Sequence, residues 1–147
     1  MTAPHPIRDH LGRDHDRLEA LLEQACRDPG RIDEEAYEAF RRGLLQHIAM
    51  EEKVLFPAVR PPGGEPLPPD LQRLRTDHGY IAHQLAIRPD PELVADLRQV
   101  LERHNALEEG PGGVYERADA LGVDEANALV ERMKAWPTVK AAPYRRG

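Results

Sequence analysis

Apolar side chains recur at steps of three and four along most of the chain, which is the pattern of helices that each bury one face. Between Asp9 and Cys26, one such stripe comprises Leu11, His15, Leu18, Leu22 and Ala25. A second stripe follows Asp33, which can cap a helix, and continues to Val54. Pro57 is expected to loosen the last turn of this second helix, because proline lacks the backbone N–H.

Two more long helices are predicted after a proline-rich loop at 61–69. The third begins at Asp70 and the fourth runs from about Pro91 to Glu109. A short helix at 114–121 and a last helix at 125–135, capped by Asp124, precede a tail without periodicity. Four long helices, short connections and no strand pattern predict an all-α, up-down-up-down four-helix bundle with a short C-terminal helix. We expect residues 1–121 to form the bundle, and 122–147 to form a helix and tail that pack on it or extend from it.

Composition narrows the classes of function. The 147 residues suit a single domain, and a net charge of −6 without a basic block argues against a nucleic-acid partner. No apolar run reaches the roughly 18 residues that a membrane span needs. The N-terminus has no hydrophobic signal core, which favours a cytoplasmic location. With only one cysteine, the chain can form neither an internal disulfide nor a cysteine-built metal site.

Histidine is the residue type that points to chemistry. Of the seven histidines, one lies on the apolar stripe of each long helix: His15, His47, His78 and His104. Two of these stripes also carry a glutamate four residues after the histidine, Glu51 and Glu108. Four steps of about 100° return a side chain to within about 40° of its start, so each histidine and its glutamate face the same space. Burying these groups without partners would be costly, and a cation between the helices would satisfy them together.

The same geometry separates other candidates from this layer. Glu52 and Glu109 follow the paired glutamates by one residue, while His10 and His83 lie five residues from a stripe histidine. Each is therefore about 140° from the nearest stripe histidine, and we expect all of them to face solvent or a helix flank. A bundle whose histidines are packed without metal is the alternative interpretation.

The donor set also favours particular metals. Nitrogen and oxygen donors with two glutamates on facing helices are typical of a carboxylate-bridged pair of iron ions. Manganese is the nearest alternative. Zinc usually takes fewer ligands in a tetrahedral arrangement, although it could occupy such a site adventitiously.

Four segments occur in order along the chain: DHDRL at 14–18, HIAMEEKVLFP at 47–57, DHGYI at 77–81 and HNALEE at 104–109. As a set, over about residues 5–121, they resemble the hemerythrin-like, or HHE cation-binding, domain family of the bacterial type. The resemblance implies a four-helix bundle with a non-haem di-iron centre bridged by carboxylates and an oxo group. It also implies that the four stripe histidines are terminal iron ligands and that Glu51 and Glu108 bridge the irons.

The chain departs from the oxygen-carrying members of that family. These have a further histidine on the third helix, at the position where this chain has Ala82. The protein ligands supply about eight of the roughly twelve bonds of two six-coordinate irons, and a bridging oxygen supplies about two more. We expect water to fill the open positions, with Tyr115, His83 or His10 as alternatives.

A more open centre favours activation or redox chemistry over reversible oxygen storage. The sequence therefore predicts a di-iron protein that binds or reacts with O₂, NO or peroxide, in sensing, stress response or iron-centre repair, with a possible redox partner. The alternatives are a di-iron enzyme, either a peroxidase or an NO-reducing protein, and a metal-free structural bundle. No dedicated acid–base residue stands out beside the ligands, so the sequence does not decide between binding and catalysis.

Overall fold

The structure, a computed structural model, describes residues 4–145. Its helices are α1 (Pro6–Ala25), α2 (Glu34–Met50), α3 (Phe56–Val59), α4 (Pro69–Leu85), α5 (Pro91–Glu109), α6 (Val114–Asp119) and α7 (Val123–Lys134). A π-helical segment, Glu51–Leu55, joins α2 to α3. Within residues 4–145, β pairing is limited to an isolated bridge between Ile87 and Arg145. The predicted all-α bundle is confirmed.

The four long helices form a closed ring in the order α1, α2, α4, α5. Each of them packs against the next, and α5 contacts α1. The shorter α6 and α7 pack against α1, and α3 and the π-helical segment contact them in turn. No helix between residues 4 and 145 is long and apolar enough to cross a membrane.

The two helix caps predicted at Asp33 and Asp124 have different outcomes in the structure. The side chain of Asp33 accepts a hydrogen bond from the backbone N–H of Ala36 at 3.1 Å, as predicted. The predicted cap at Asp124 is wrong, because α7 already begins at Val123, after Gly122. Gly122 has a φ of 112°, a conformation that glycine adopts without strain. Asp124 lies instead in the first turn, where its charge still favours the helix N-terminus.

Pro57 changes the chain just before it, as predicted. Because it has no N–H, it cannot donate to the carbonyl of Lys53, which an α-helix would require. The preceding turn widens, and the N–H of Phe56 donates to the carbonyl of Glu51, the i to i+5 bond of a π-helix. This widened turn begins four residues after His47, at the level of the histidine layer.

The core consists of two apolar clusters separated by that polar layer. On α1, His15 lies between Leu11 of the first cluster and Leu18 of the second. On α4, His78 is flanked in the same way. The first cluster also contains the apolar faces of α6 and α7, which pack where α1 begins and α2 ends.

The C-terminal tail lies along α2. The backbone N–H of Val139 donates to the side-chain oxygen of Gln46 at 2.6 Å. The guanidinium of Arg41 donates to the carbonyl of Ala142 and lies 4.5 Å from the centre of the Tyr144 ring. The tail therefore has specific partners although it has no helical periodicity.

Candidate metal centre

The six histidine and glutamate residues of the polar layer come together between the two clusters, and all are at most 7% exposed. Their donor atoms form two groups, and within each group all atoms lie within 4.8 Å of one another. The first group is His15, His47, Glu51 and Glu108, and the second is Glu51, His78, His104 and Glu108. Both glutamates therefore belong to both groups.

Each of these glutamates directs one oxygen at each group. For Glu51, Oε2 lies 3.5 Å from Nε2 of His47, and Oε1 lies 3.0 Å from Nε2 of His78. For Glu108, Oε1 lies 3.3 Å from Nε2 of His15, and Oε2 lies 3.3 Å from Nε2 of His104. The arrangement therefore offers two histidine nitrogens and two carboxylate oxygens at each of two neighbouring positions.

The other ring nitrogen of every layer histidine meets a second carboxylate, supplied by the preceding helix in the ring or, for His78, by the π-helical segment that continues α2. The Nδ1 contacts are His47 with Asp14 at 2.7 Å, His78 with Glu52 at 3.1 Å, His104 with Asp77 at 3.1 Å, and His15 with Glu109 at 2.8 Å. We call Asp14, Glu52, Asp77 and Glu109 the carboxylate ring. Such partners fix the orientation of a metal-binding imidazole and aim its Nε2 into the site.

The carboxylate ring corrects one sequence-based expectation. Glu52 and Glu109 do lie at helix flanks, with side chains 25% and 38% exposed, but their carboxylates turn onto His78 and His15 rather than into solvent. The angular argument fixes where a side chain leaves the helix, whereas a glutamate is long enough to reach the adjacent helix. For Glu52, the π-helical turn also reduces its rotation away from Glu51, because that turn holds more residues than an α turn.

The other histidines stay outside the layer, as predicted. His83 is exposed, His10 is half-buried, and His5 precedes the first residue of α1. None of the three belongs to either donor group. Ala82 is half-buried on α4 and offers no donor side chain.

Tyr115, the second residue of α6, is fully buried and extends its phenol into the first donor group. Its oxygen lies 2.7 Å from Oε2 of Glu51 and 3.2 Å from Oε1 of Glu108. The same oxygen lies 3.1 Å from Nε2 of His15 and 3.3 Å from Nε2 of His47. Burial and the charges of Glu108 and Glu51 raise the pKa of Tyr115 well above its usual value. From the sequence, Tyr115 is predicted only as one alternative to water at the open metal positions.

The charges of the layer are strongly interdependent. Burial lowers the pKa of His15, but hydrogen bonds to Glu108 and Glu109 outweigh it and raise that pKa to about 10. The pKa of His78 is also raised to about 10, because its contacts with Glu51 and Glu52 outweigh the effect of burial. Burial raises the pKa of the Glu51 carboxyl, but the adjacent histidine charge outweighs this effect and holds the pKa well below its usual value. Buried carboxylates that stay ionised are suitable cation ligands.

The second group fits a cation for a further reason. Glu51 Oε1, His78 Nε2 and Glu108 Oε2 are buried and none of them makes a well-formed hydrogen bond, although the first two lie 3.0 Å apart. Unpaired buried polar atoms are costly, and these three face the same space. With nitrogen and oxygen donors and no sulfur, the set suits iron or manganese.

Together, the fold and the buried donor layer define a helical-bundle protein with a metal-binding site. A family model of the hemerythrin HHE cation-binding domain matches residues 7–111, and the chain belongs to this family. The match includes the whole donor layer and the carboxylate ring but ends before Tyr115. Comparisons with curated proteins and with solved structures give no match.

Proposed function

We propose that this protein holds a pair of iron ions between its long helices, and that it binds or reacts with O₂, NO or peroxide at that pair. In this proposal the four layer histidines are terminal ligands, and Glu51 and Glu108 bridge the two ions. The observation that carries the proposal is that each glutamate aims one oxygen at each donor group. A bridging carboxylate needs this arrangement, and two inward-projecting Glu residues on facing helices are typical of di-iron bundles.

The buried polar layer also argues against the alternative, a metal-free structural bundle. A metal-free structural bundle would gain by replacing these buried groups with aliphatic side chains, because unpaired buried polar atoms destabilise the folded state. Here the polar layer interrupts the aliphatic core, and three of its buried atoms have no hydrogen-bond partner. A cation gives every one of these atoms a partner.

A cleft beside the layer supports access by a small ligand. It has a volume of about 500 Å³ and is lined by residues of α1, α2 and α5. Its lining includes apolar side chains such as Leu18, Leu44 and Leu101, together with the layer residue His15 and its partner Glu109. Diatomic ligands and peroxide are small enough to use such a route.

The roles of the protein groups follow from their contacts. An iron pair bound here would supply electrons to a small oxidant. The carboxylate ring holds each imidazole with its Nε2 directed inward. The apolar clusters above and below keep the layer buried, which strengthens the interactions of its charges.

Iron loading of two bridging-site variants tests the proposal. We expect the anaerobically reconstituted wild type to retain about two iron ions per chain after desalting. Glu51→Ala and Glu108→Ala should lose two-iron loading but keep their helical circular dichroism, because each removes one oxygen from both groups. Glu102→Ala, an exposed glutamate on the same helix as Glu108, is the matched control and should load normally. Failure of the wild type to bind iron, or stoichiometric iron in either variant, would contradict the proposal.

Ligand titration of the same reduced sample separates binding from catalysis. A spectral change that reverses when O₂ or NO is removed indicates a binding or sensing protein. Continued consumption of peroxide or NO with a reductant present indicates a di-iron enzyme. Loading with manganese in place of iron serves as the comparison for metal identity.

A further inference from the structure

The two donor groups are not equivalent, and Tyr115 is the reason. We propose that the phenol oxygen of Tyr115 is a ligand of the metal ion held by His15 and His47, whereas the ion held by His78 and His104 has no such ligand. This inference rests on the proposed metal pair. It concerns a residue outside the segment that matches the family, which ends at residue 111.

The contacts of the phenol oxygen carry the inference. It lies within 3.3 Å of all four donor atoms of the first group. The phenol can accept hydrogen bonds from the two histidine nitrogens, but it has a single proton to donate to the two carboxylate oxygens, Glu51 Oε2 and Glu108 Oε1. A cation held by the same four atoms would have this oxygen as its immediate neighbour.

The second group provides the contrast within the same molecule. Its inward atoms include the three that have no hydrogen-bond partner, Glu51 Oε1, His78 Nε2 and Glu108 Oε2. The opposite oxygens of the same two glutamates, Glu51 Oε2 and Glu108 Oε1, both contact the phenol. Each carboxylate therefore contacts both the phenol and a histidine on the Tyr115 side, but only histidine nitrogens on the other side, so the two groups differ by the phenol oxygen.

The turn between α5 and α6 positions the side chain of Tyr115. A Cβ on Gly113 would lie 2.5 Å from the carbonyl oxygen of Glu108 and 2.7 Å from that of Leu107. Only glycine permits this close turn, which folds back on the end of α5 two residues before Tyr115. At the far end of α6, the carboxylate of Asp119 accepts hydrogen bonds from the backbone N–H of Ile7 at 2.9 Å and of Arg8 at 3.2 Å. The tyrosine is thus held from both sides.

Ligation changes one bond at the phenol. The O–H bond breaks, an O–metal bond forms, and the proton passes to bulk solvent without any change of oxidation state. Phenolate bound to iron(III) has a visible charge-transfer band and resonance-enhanced ring vibrations. A phenol that only donates a hydrogen bond to the ligands has neither, so spectroscopy distinguishes the two arrangements.

The test compares wild type, Tyr115→Phe and a matched control, Tyr37→Phe. Tyr37 is also fully buried, but it lies in the second apolar cluster, away from the donor groups. Each protein is loaded with iron, oxidised, assayed for metal, and examined by visible absorption and resonance Raman spectroscopy. We expect phenolate signals in wild type and in Tyr37→Phe. Tyr115→Phe should retain about two iron ions per chain and lose both signals.

Three results would overturn the inference. A wild type with two bound irons and no phenolate signals overturns it and leaves the iron-pair proposal standing. Phenolate signals that persist in Tyr115→Phe also overturn the inference and leave the iron-pair proposal standing. A wild type that takes up no iron overturns the proposed function and this inference with it.

Isotope labelling of the wild type gives a test that does not depend on how Tyr115→Phe folds. Wild type grown with ring-deuterated tyrosine should show shifted Raman ring modes under visible excitation. Modes that do not shift come from another ligand, and they overturn the inference.

Discussion

Replacing Asp14 with asparagine tests whether the carboxylate ring matters for metal binding. Asp14 does not reach the metal positions, but its carboxylate accepts a 2.7 Å hydrogen bond from Nδ1 of His47. Asparagine preserves the shape and removes the negative charge. The amide can also present its NH₂ to Nδ1, and then the ring would have to change tautomer and place a proton on the inward-facing nitrogen.

The size of the effect follows from the geometry of the four contacts. Loss of such an outer carboxylate typically costs 10–100-fold in metal affinity, or about 1.4–2.7 kcal/mol. The Asp14 contact is the shortest of the four, and the Asp14 side chain is 17% exposed. We therefore expect Asp14→Asn near the 100-fold end of that range. Glu52→Gln should lie near the tenfold end, because its contact is 3.1 Å and its side chain is 25% exposed.

The assay is anaerobic competition for ferrous ion between the protein and a coloured chelator. Asp16→Asn is the matched control, since Asp16 lies on the same helix, is exposed and should leave affinity unchanged. Thermal unfolding of the chelator-treated proteins shows whether a variant is merely less stable. Equal affinities for Asp14→Asn and Asp16→Asn would refute the orienting role of the ring. A larger loss for Glu52→Gln than for Asp14→Asn would refute the ranking by contact geometry.

Two further predictions concern stability. In chelator-treated protein the pKa values of His15 and His78 are raised to about 10, because contacts with glutamates outweigh burial. The stabilisation from these protonated histidines is therefore complete below their ordinary pKa of about 6.5 and is lost as the pH rises through about 10. The urea midpoint should fall across this interval, and a constant midpoint would contradict the assignment. Gly79→Ala should raise the free energy of unfolding by about 0.5–1 kcal/mol, because a Cβ there meets nothing within 4 Å. Gly43→Ala should lower it, because its Cβ would lie 2.6 Å from Cδ2 of the buried Leu18, and urea unfolding of both variants checks the opposite signs.

Helices and the histidine layer could be predicted because one periodicity determines both. A residue on an apolar stripe faces the bundle axis whether it is leucine or histidine, so the register alone brings His15, His47, His78 and His104 into the core. The predicted bounds of the fourth helix, Pro91–Glu109, coincide with those of α5. The start of α7 was less predictable, since Gly122 and Asp124 are both acceptable caps in sequence and only the backbone conformation distinguishes them.

The carboxylate ring could not be derived from single-helix geometry, because every one of its contacts joins two helices. One signal was nevertheless present. The dipeptide Asp-His occurs at 9–10, 14–15 and 77–78, and the histidine belongs to the layer in the last two. The pattern His-x-x-x-Glu-Glu occurs at 47–52 and 104–109. The chain thus repeats one donor pattern in two halves, and each copy contains two histidines, one layer glutamate and two ring carboxylates. A repeated polar neighbour beside a repeated ligand indicates a partner for that ligand.

This repeat shows that Tyr115 lies outside the repeated donor pattern. If the two halves alone formed the centre, both metal positions would have the same protein donors, two histidines and two shared carboxylates. Tyr115 belongs to neither copy of the pattern, and its oxygen contacts donors of the first group. If Tyr115 is a ligand as proposed, it is the protein donor that distinguishes the two positions. Removing the hydroxyl should make the two positions more alike in ligand binding, whereas removing a ring carboxylate should weaken one position without changing its donor set.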